Sequence, residues 1–182
     1  IMVLQEDGSL EEYTRTLYKS QYGWGFNAPT FGWPDTYGFS FRDVNDNNLE
    51  MLETWFDMNR AQSMEEFQQA QETHKGIPWV YTMATDTQGN AWFIDSSAVP
   101  NFSSEATEAF FTSEMERNPF TSIFWKYNVI AVSGETDLFH WKEEEGARSP
   151  GLVPYNQAPQ RATQSYVFNA NDSHWLSHAT EP

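Results

Sequence analysis

Along this chain the spacing of apolar residues switches several times between two and three-to-four, and each switch marks an element. Ile1–Leu4 and Tyr13–Tyr18 are apolar or alternating runs on either side of Glu6-Asp7-Gly8-Ser9. Asp-Gly between such runs predicts a β-hairpin, because glycine supplies the positive φ of a tight turn. Tyr37–Arg42 alternates with period two and predicts a strand. Leu49, Leu52, Trp55, Phe56 and Asn59 then recur at helical spacing, predicting an amphipathic helix that Asn47 or Asn48 can cap. Ser63 with Glu66 three residues later forms a capping box for a second helix. Phe67, Ala70 and Thr73 carry its inner face, and Gly76 ends it. Pro78–Asp86 and Ala91–Ile94, joined by Thr87-Gln88-Gly89-Asn90, predict a second hairpin.

Beyond Pro100 the pattern changes. Ser103 or Ser104 can cap a helix reaching about Arg117, with Ala106, Phe110, Phe111 and Met115 on its apolar side. Asn128–Val132 is a short strand candidate, and Glu143-Glu144-Glu145-Gly146 reads as a solvated loop. Pro150, Gly151, Pro154 and Pro159 mark an extended connection. It leads to Tyr166-Val167-Phe168, read as a strand that runs into Asn169-Ala170-Asn171-Asp172-Ser173. Asparagine amides at a strand tip can aim an N–H at a developing oxyanion, although composition alone favours an Asx-turn leaving the strand. The mixture of antiparallel hairpins and packed helices predicts an α+β fold. No internal repeat or low-complexity linker divides residues 1–182, which read as a single segment.

Composition narrows the function classes. The 182 residues carry a formal net charge of -16, a field that repels phosphate backbones and anionic lipid. Nucleic-acid and membrane partners are therefore not expected. Aromatic residues make up 16% of the chain, which points to a folded core. Cysteine is absent, so no disulfide, thiolate nucleophile or cysteine-ligated metal is possible. That absence leaves the cellular compartment open. His174 and His178 have i, i+4 spacing but lack the His-Glu-x-x-His context, and no metal site is expected. No Gly-x-Ser-x-Gly elbow or phosphate loop occurs. Asp86 reads as a turn cap rather than an acid, and Glu65-Glu66 as a solvated helix face. Trp24, Phe26, Phe31 and Trp33 sit in a loop punctuated by glycine and proline. Such a loop packs on a core or lines a ligand site, which leaves open a non-catalytic module that stacks on a ligand through residues 24–33.

Several segments resemble, in order, the β-chain of the penicillin acylase family of N-terminal nucleophile hydrolases, most closely its acyl-homoserine lactone and lipopeptide acylases. They are Tyr13–Gly23, Trp55–Ala61 with Ser63 and Glu66-Phe67, and Gly76-Ile77-Pro78-Trp79. Asp86–Asn90, Ser97–Pro100, Pro150–Pro154 and Asn169-Ala170-Asn171-Asp172-Ser173 complete the set. The resemblance implies an αββα sandwich of two antiparallel sheets covered by helices. It implies cleavage of the amide of a small-molecule N-acyl substrate, with no cofactor. A serine at the N-terminus of the β-chain would attack, its own α-amine acting as base. A backbone N–H and an asparagine side chain would hold the oxyanion. Asn171 matches that asparagine, with Asn169 beside it. Trp55 and Trp79, with Val80, match acyl-pocket positions, for which core packing is an equal alternative. The chain begins at Ile1 and carries no such serine, so it reads as an internal piece that works with the remaining α- and β-chain segments of its parent and is inactive alone. Residues 102–141 match no family motif and read as a subfamily insertion. The resemblance also implies a periplasmic or secreted parent.

Overall fold

A computed structural model of the chain describes residues 1–26 and 35–171. It divides into two compact units, Ile1–Asp43 and Val44–Pro182. In the first unit, β1 (Met2–Leu4) and β2 (Leu10–Glu12) form the predicted hairpin, with Leu4 opposite Leu10. Gly8 takes φ 81° in the turn. Asp7 Oδ1 accepts hydrogen bonds from Ser9 Oγ at 2.6 Å and from the Ser9 N–H at 2.9 Å, which hold its carboxyl below the usual range. The return arm is Leu10–Glu12 rather than Tyr13–Tyr18. A tight turn forces the residues just past it to pair first, and β1 is used up once Tyr13 has exchanged bonds with Ile1. A second sheet follows, β3 (Lys19–Ser20), β4 (Gly23–Phe26) and β5 (Phe39–Phe41), in the order β3-β4-β5. β5 lies within the predicted Tyr37–Arg42 run. Trp24 and Phe26 belong to β4, whereas Phe31 and Trp33 lie outside the described residues.

The second unit opens with α1 (Glu50–Arg60) and α2 (Met64–His74). Ser63 Oγ accepts the Glu66 N–H at 3.2 Å, as its capping role predicts, and the Glu66 carboxylate accepts the Gln62 N–H at 2.7 Å. α2 ends at Lys75 in the left-handed conformation, one residue before the predicted Gly76. Neither Asn47 nor Asn48 caps α1, whose N-cap is Leu49. Asn47 takes a left-handed φ of 56°, and Asn48 Nδ2 instead bridges Asn45 Oδ1 and the Gly76 carbonyl.

α1 also packs with a face the pattern did not predict. Thr54 and Met58 are buried, while Leu52, Phe56 and the preceding Leu49 lie exposed on the opposite side. A glycine explains the choice. Gly76 lies against the backbone of Glu50 and Met51, so close that any side chain there would overlap their main-chain atoms. This contact turns the polar-rimmed Thr54 side toward the connection after α2. Thr54 Oγ1 donates to the Glu50 carbonyl at 2.7 Å and accepts the Gly76 N–H at 3.1 Å. Thr54→Val keeps the shape but orphans that buried N–H, and is expected to cost about 1–3 kcal/mol in denaturant unfolding.

Met58, Ala70 and Ile77 form the core here, with Phe67 and Val80 packed against it. Of the predicted inner face of α2, Ala70 is buried, Phe67 is half-buried and Thr73 is exposed. β6 (Thr82–Thr85) and β7 (Ala91–Ile94) make the second predicted hairpin. Asp86 caps its turn, as expected. It accepts from the Gln88 and Asn90 N–H groups, each at 2.9 Å, and from Asn90 Nδ2 at 2.6 Å. The Asn90 side chain is the chief cause of its lowered carboxyl pKa. All four β7 residues are buried, and Trp92 meets Phe67 edge-on at 6.3 Å.

The helix predicted from Ser103 forms as α3 (Ser104–Ala109), a π-helical stretch (Phe110–Glu114) and α4 (Met115–Arg117). Ser103 caps it, and Ala106 and Phe110 are buried with Phe139, while Phe111 is exposed. A helix that the pattern did not show follows, α5 (Pro119–Trp125), capped by Asn118 with proline at its start. Glu114 Oε1 gathers this corner, accepting from Asn118 Nδ2, Thr121 Oγ1 and the Ser133 N–H. Asn128–Val132 is not a strand. Asn128 is left-handed, and its neighbours bond back to α5: Val129 N–H to the Phe124 carbonyl, and Thr121 Oγ1 to the Ala131 carbonyl.

The last strand, β8 (Gln160–Thr163), completes the sheet in the order β6-β7-β8. It replaces the predicted Tyr166–Phe168 strand. β7 has only four residues, and the register sets Gln160 opposite Ile94 and Thr163 opposite Ala91, so the partner ends before Tyr166. The described residues thus form an α+β protein of small antiparallel sheets with packed helices.

Candidate functional site

The approach to Asn171 is built from β8 outward. A three-loop strap precedes it: Glu144 accepts from Asn101 Nδ2 at 3.1 Å and from Gln157 Nε2. The Asp95 N–H then bonds to the Pro159 carbonyl at 2.9 Å, bringing the chain onto the edge of β7. The donors Asn101 and Gln157, in that order, hold the Glu144 carboxyl below its usual range. A carboxylate whose folded pKa is depressed adds stability above its unfolded pKa and loses it as pH falls. Glu144→Gln is therefore expected to lower stability most at neutral pH and to flatten the acid limb, so that the two profiles converge as pH falls below about 4.5. Thermal midpoints across an acid series read this directly, and an unchanged acid limb would count against the strap. Next to it, burial pushes the Tyr155 hydroxyl up to about 12, helped by the nearby Glu72 charge. Tyr155 is thus a neutral packing group near pH 7, not a base.

Past β8 the Ser165 N–H bonds to Thr163 Oγ1, and the chain turns off the sheet. The Tyr166 and Phe168 rings stack at 6.3 Å. Asn169 Oδ1 then accepts the Asn171 N–H at 2.7 Å, which closes an Asx-turn. Asn171 sits at φ 61°, a conformation that asparagine tolerates better than most residues, and is exposed. The turn uses the backbone of Asn171 and the side chain of Asn169. Asp172, Ser173, His174 and His178 lie outside the described residues.

The three candidate acyl-pocket residues occupy different settings. Val80 is half-buried against the Met58–Ala70–Ile77 core. Trp79, its neighbour, is 74% exposed. Trp55 stands on the flank of α1, 38% exposed. Pro78, just before Trp79, has its carbonyl held by Asn45 Nδ2 at 3.3 Å and by the Ala98 N–H at 3.3 Å, which fixes the entry to β6.

One polar cluster escaped the sequence pattern. His74, in the last turn of α2, places Nε2 2.8 Å from Asp57 Oδ2 and Nδ1 3.5 Å from Glu53 Oε2. Glu53 and Asp57 are i, i+4 on α1, a spacing visible in the sequence. What the sequence could not show is that the end of α2 returns to that face. With Leu52 and Phe56 these residues line an open hollow of about 450 Å³. Among the described residues, no group of three or more His, Asp or Glu has the geometry to hold a metal ion. None of the described helices is long and apolar enough to cross a membrane.

A family model described as penicillin amidase matches residues 1–181. The chain belongs to the penicillin amidase family. Among its curated relatives, acyl-homoserine lactone acylase PvdQ of Pseudomonas fluorescens (strain Pf-5) is 34% identical over 177 residues, which cover 97% of this chain and 22% of that protein. PvdQ of Pseudomonas savastanoi pv. phaseolicola is 31% identical over 183 residues, covering 100% of the chain and 22% of the relative. Aculeacin-A acylase of Actinoplanes utahensis is 27% identical over 170 residues, covering 93% and 21%. The chain thus spans about a fifth of the length of the curated penicillin amidase relatives it matches. The family match includes residues 102–141, the stretch read as an insertion.

Proposed function

We propose that this chain is a segment of an amide hydrolase that cleaves N-acyl compounds, of the acyl-homoserine lactone, lipopeptide or penicillin-like class. The observation that carries this reading is the penicillin amidase match across residues 1–181, together with relatives named for acylase activity. The nucleophile is an N-terminal serine on the parent protein, outside these 182 residues, whose α-amine takes the hydroxyl proton. The segment contributes to an αββα sandwich and depends on the remaining α- and β-chain segments, so it is inactive alone. The parent acts in the periplasm or outside the cell, as the family resemblance implies.

Asn171 supplies one N–H to the tetrahedral oxyanion. The Asx-turn supports a side-chain role, because the Asn171 backbone N–H donates to Asn169 Oδ1 and the turn leaves Asn171's own side-chain amide unused. A preset amide costs little reorganisation when charge develops on the substrate oxygen. Asn169 thereby acts as a positioning residue at the substrate site. Trp55, Trp79 and Val80 line the acyl side. The exposure of the Trp79 indole supports that role over core packing. The full-length parent, given a panel of N-acyl amides with long, short and aromatic acyl groups, should release free amine and free acid in equal amounts. Release of neither from any member would overturn the reading.

A further inference from the structure

The outer stripe of α1 is an apolar feature that the proposed chemistry leaves unused. Leu49 is 75%, Leu52 65% and Phe56 61% exposed. These three residues lie at i, i+3 and i+7, one face of a helix, and that face is opposite the packed Thr54–Met58 side. Soluble proteins seldom leave a contiguous apolar stripe of this kind uncovered. The stripe is also a held surface rather than a fraying end. His74 ties α2 to Asp57 and Glu53 beside it. Arg60 stands over the Phe56 ring at 5.2 Å, and Gly76 locks the N-terminal turn of α1 from behind. The hollow of about 450 Å³ between Leu52, Phe56 and His74 gives the stripe a recess that a side chain can fill.

We infer that this stripe is an internal docking face, covered in the parent protein by an apolar segment of the same polypeptide lying outside these 182 residues. The inference rests on the family reading and adds to it a specific surface. Its occupant follows from length. More than three quarters of each compared relative lies outside the region that this chain matches. A covering segment encoded in the same polypeptide is thus available at high effective concentration, without a separate partner. Burial of Leu52 and Phe56 there would also remove water from the Asp57–His74 bond and strengthen it.

Hydroxyl-radical footprinting of the full-length protein, without ligand and at a concentration where it is monomeric, tests this with no turnover needed. Leu49, Leu52 and Phe56 should be oxidised about tenfold more slowly than in the unfolded protein, alongside the buried Phe93. Oxidation at the rate of the unfolded protein would overturn the proposal. Protection lost on dilution would overturn it in favour of a second copy. Protection that appears only when an N-acyl amide is added would overturn it in favour of an acyl-pocket wall. Because footprinting does not depend on catalysis, a protected stripe on an inactive protein would sink the acylase reading and leave the docking face standing.

Discussion

Gly76→Ala is expected to destabilise the protein by about 3 kcal/mol, the upper end for forcing a methyl group into a filled space. The added Cβ has no flexible side chain to push aside. It meets the main-chain carbon and oxygen of Glu50 and the nitrogen of Met51, at the first turn of α1. Moving that turn would break three connections at once: Gly76 N–H to Thr54 Oγ1, Asn48 Nδ2 to the Gly76 carbonyl, and Thr54 Oγ1 to the Glu50 carbonyl. Arg148, buried against the same region, donates to the Val44 carbonyl at 2.6 Å and would be strained as well. Gly38→Ala is the matched control. A Cβ there meets nothing within 4 Å and the backbone needs no positive φ, so its cost should stay within about 0.5 kcal/mol. Urea unfolding of the two variants separates the cases, and equal midpoints would contradict the packing described.

Asn171→Ala in the full-length parent is expected to lower kcat by about 10²–10³, with KM little changed, as loss of one oxyanion donor does. Asn169→Ala removes the acceptor that closes the Asx-turn but no proposed donor. Its loss should be smaller and should be partly restored by Asn169→Asp, which keeps the acceptor oxygen. An Asn171→Ala enzyme with near-normal turnover would remove Asn171 from the mechanism. An Asn169→Ala enzyme as impaired as Asn171→Ala would show that the turn, rather than the amide, matters.

Local chemistry was the legible part of this sequence. Ser63 and Ser103 cap their helices, Asp86 caps its hairpin turn, and Asp-Gly turns the first hairpin, because each signal acts within four residues. Three of the failures share a cause: a partner outside the segment decided the outcome. The apolar stripe of α1 suggested the inner face, but Gly76, some twenty residues on, seats the other side. Tyr166–Phe168 has the composition of a strand, yet β7 is too short to pair with it. Asn128–Val132 is β-branched and apolar, but Thr121 and Phe124 claim its backbone groups first. At the candidate site, the Asx-turn of Asn169 and Asn171 was legible as one of two readings, and the structure contains it. The His74–Asp57–Glu53 cluster was not, since it exists only where the end of α2 meets α1.

The proposed parent of this segment breaks the amide bond of an N-acyl compound. Its sharpest test is turnover of an N-acyl-homoserine lactone, a lipopeptide and a penicillin by the full-length protein in heavy-oxygen water, followed by mass spectrometry. Heavy oxygen should enter the carboxylate of the released acid, and the amine product should keep its lactone or lactam ring intact. An amide left unbroken in all three substrates, with or without ring opening, would overturn the reading.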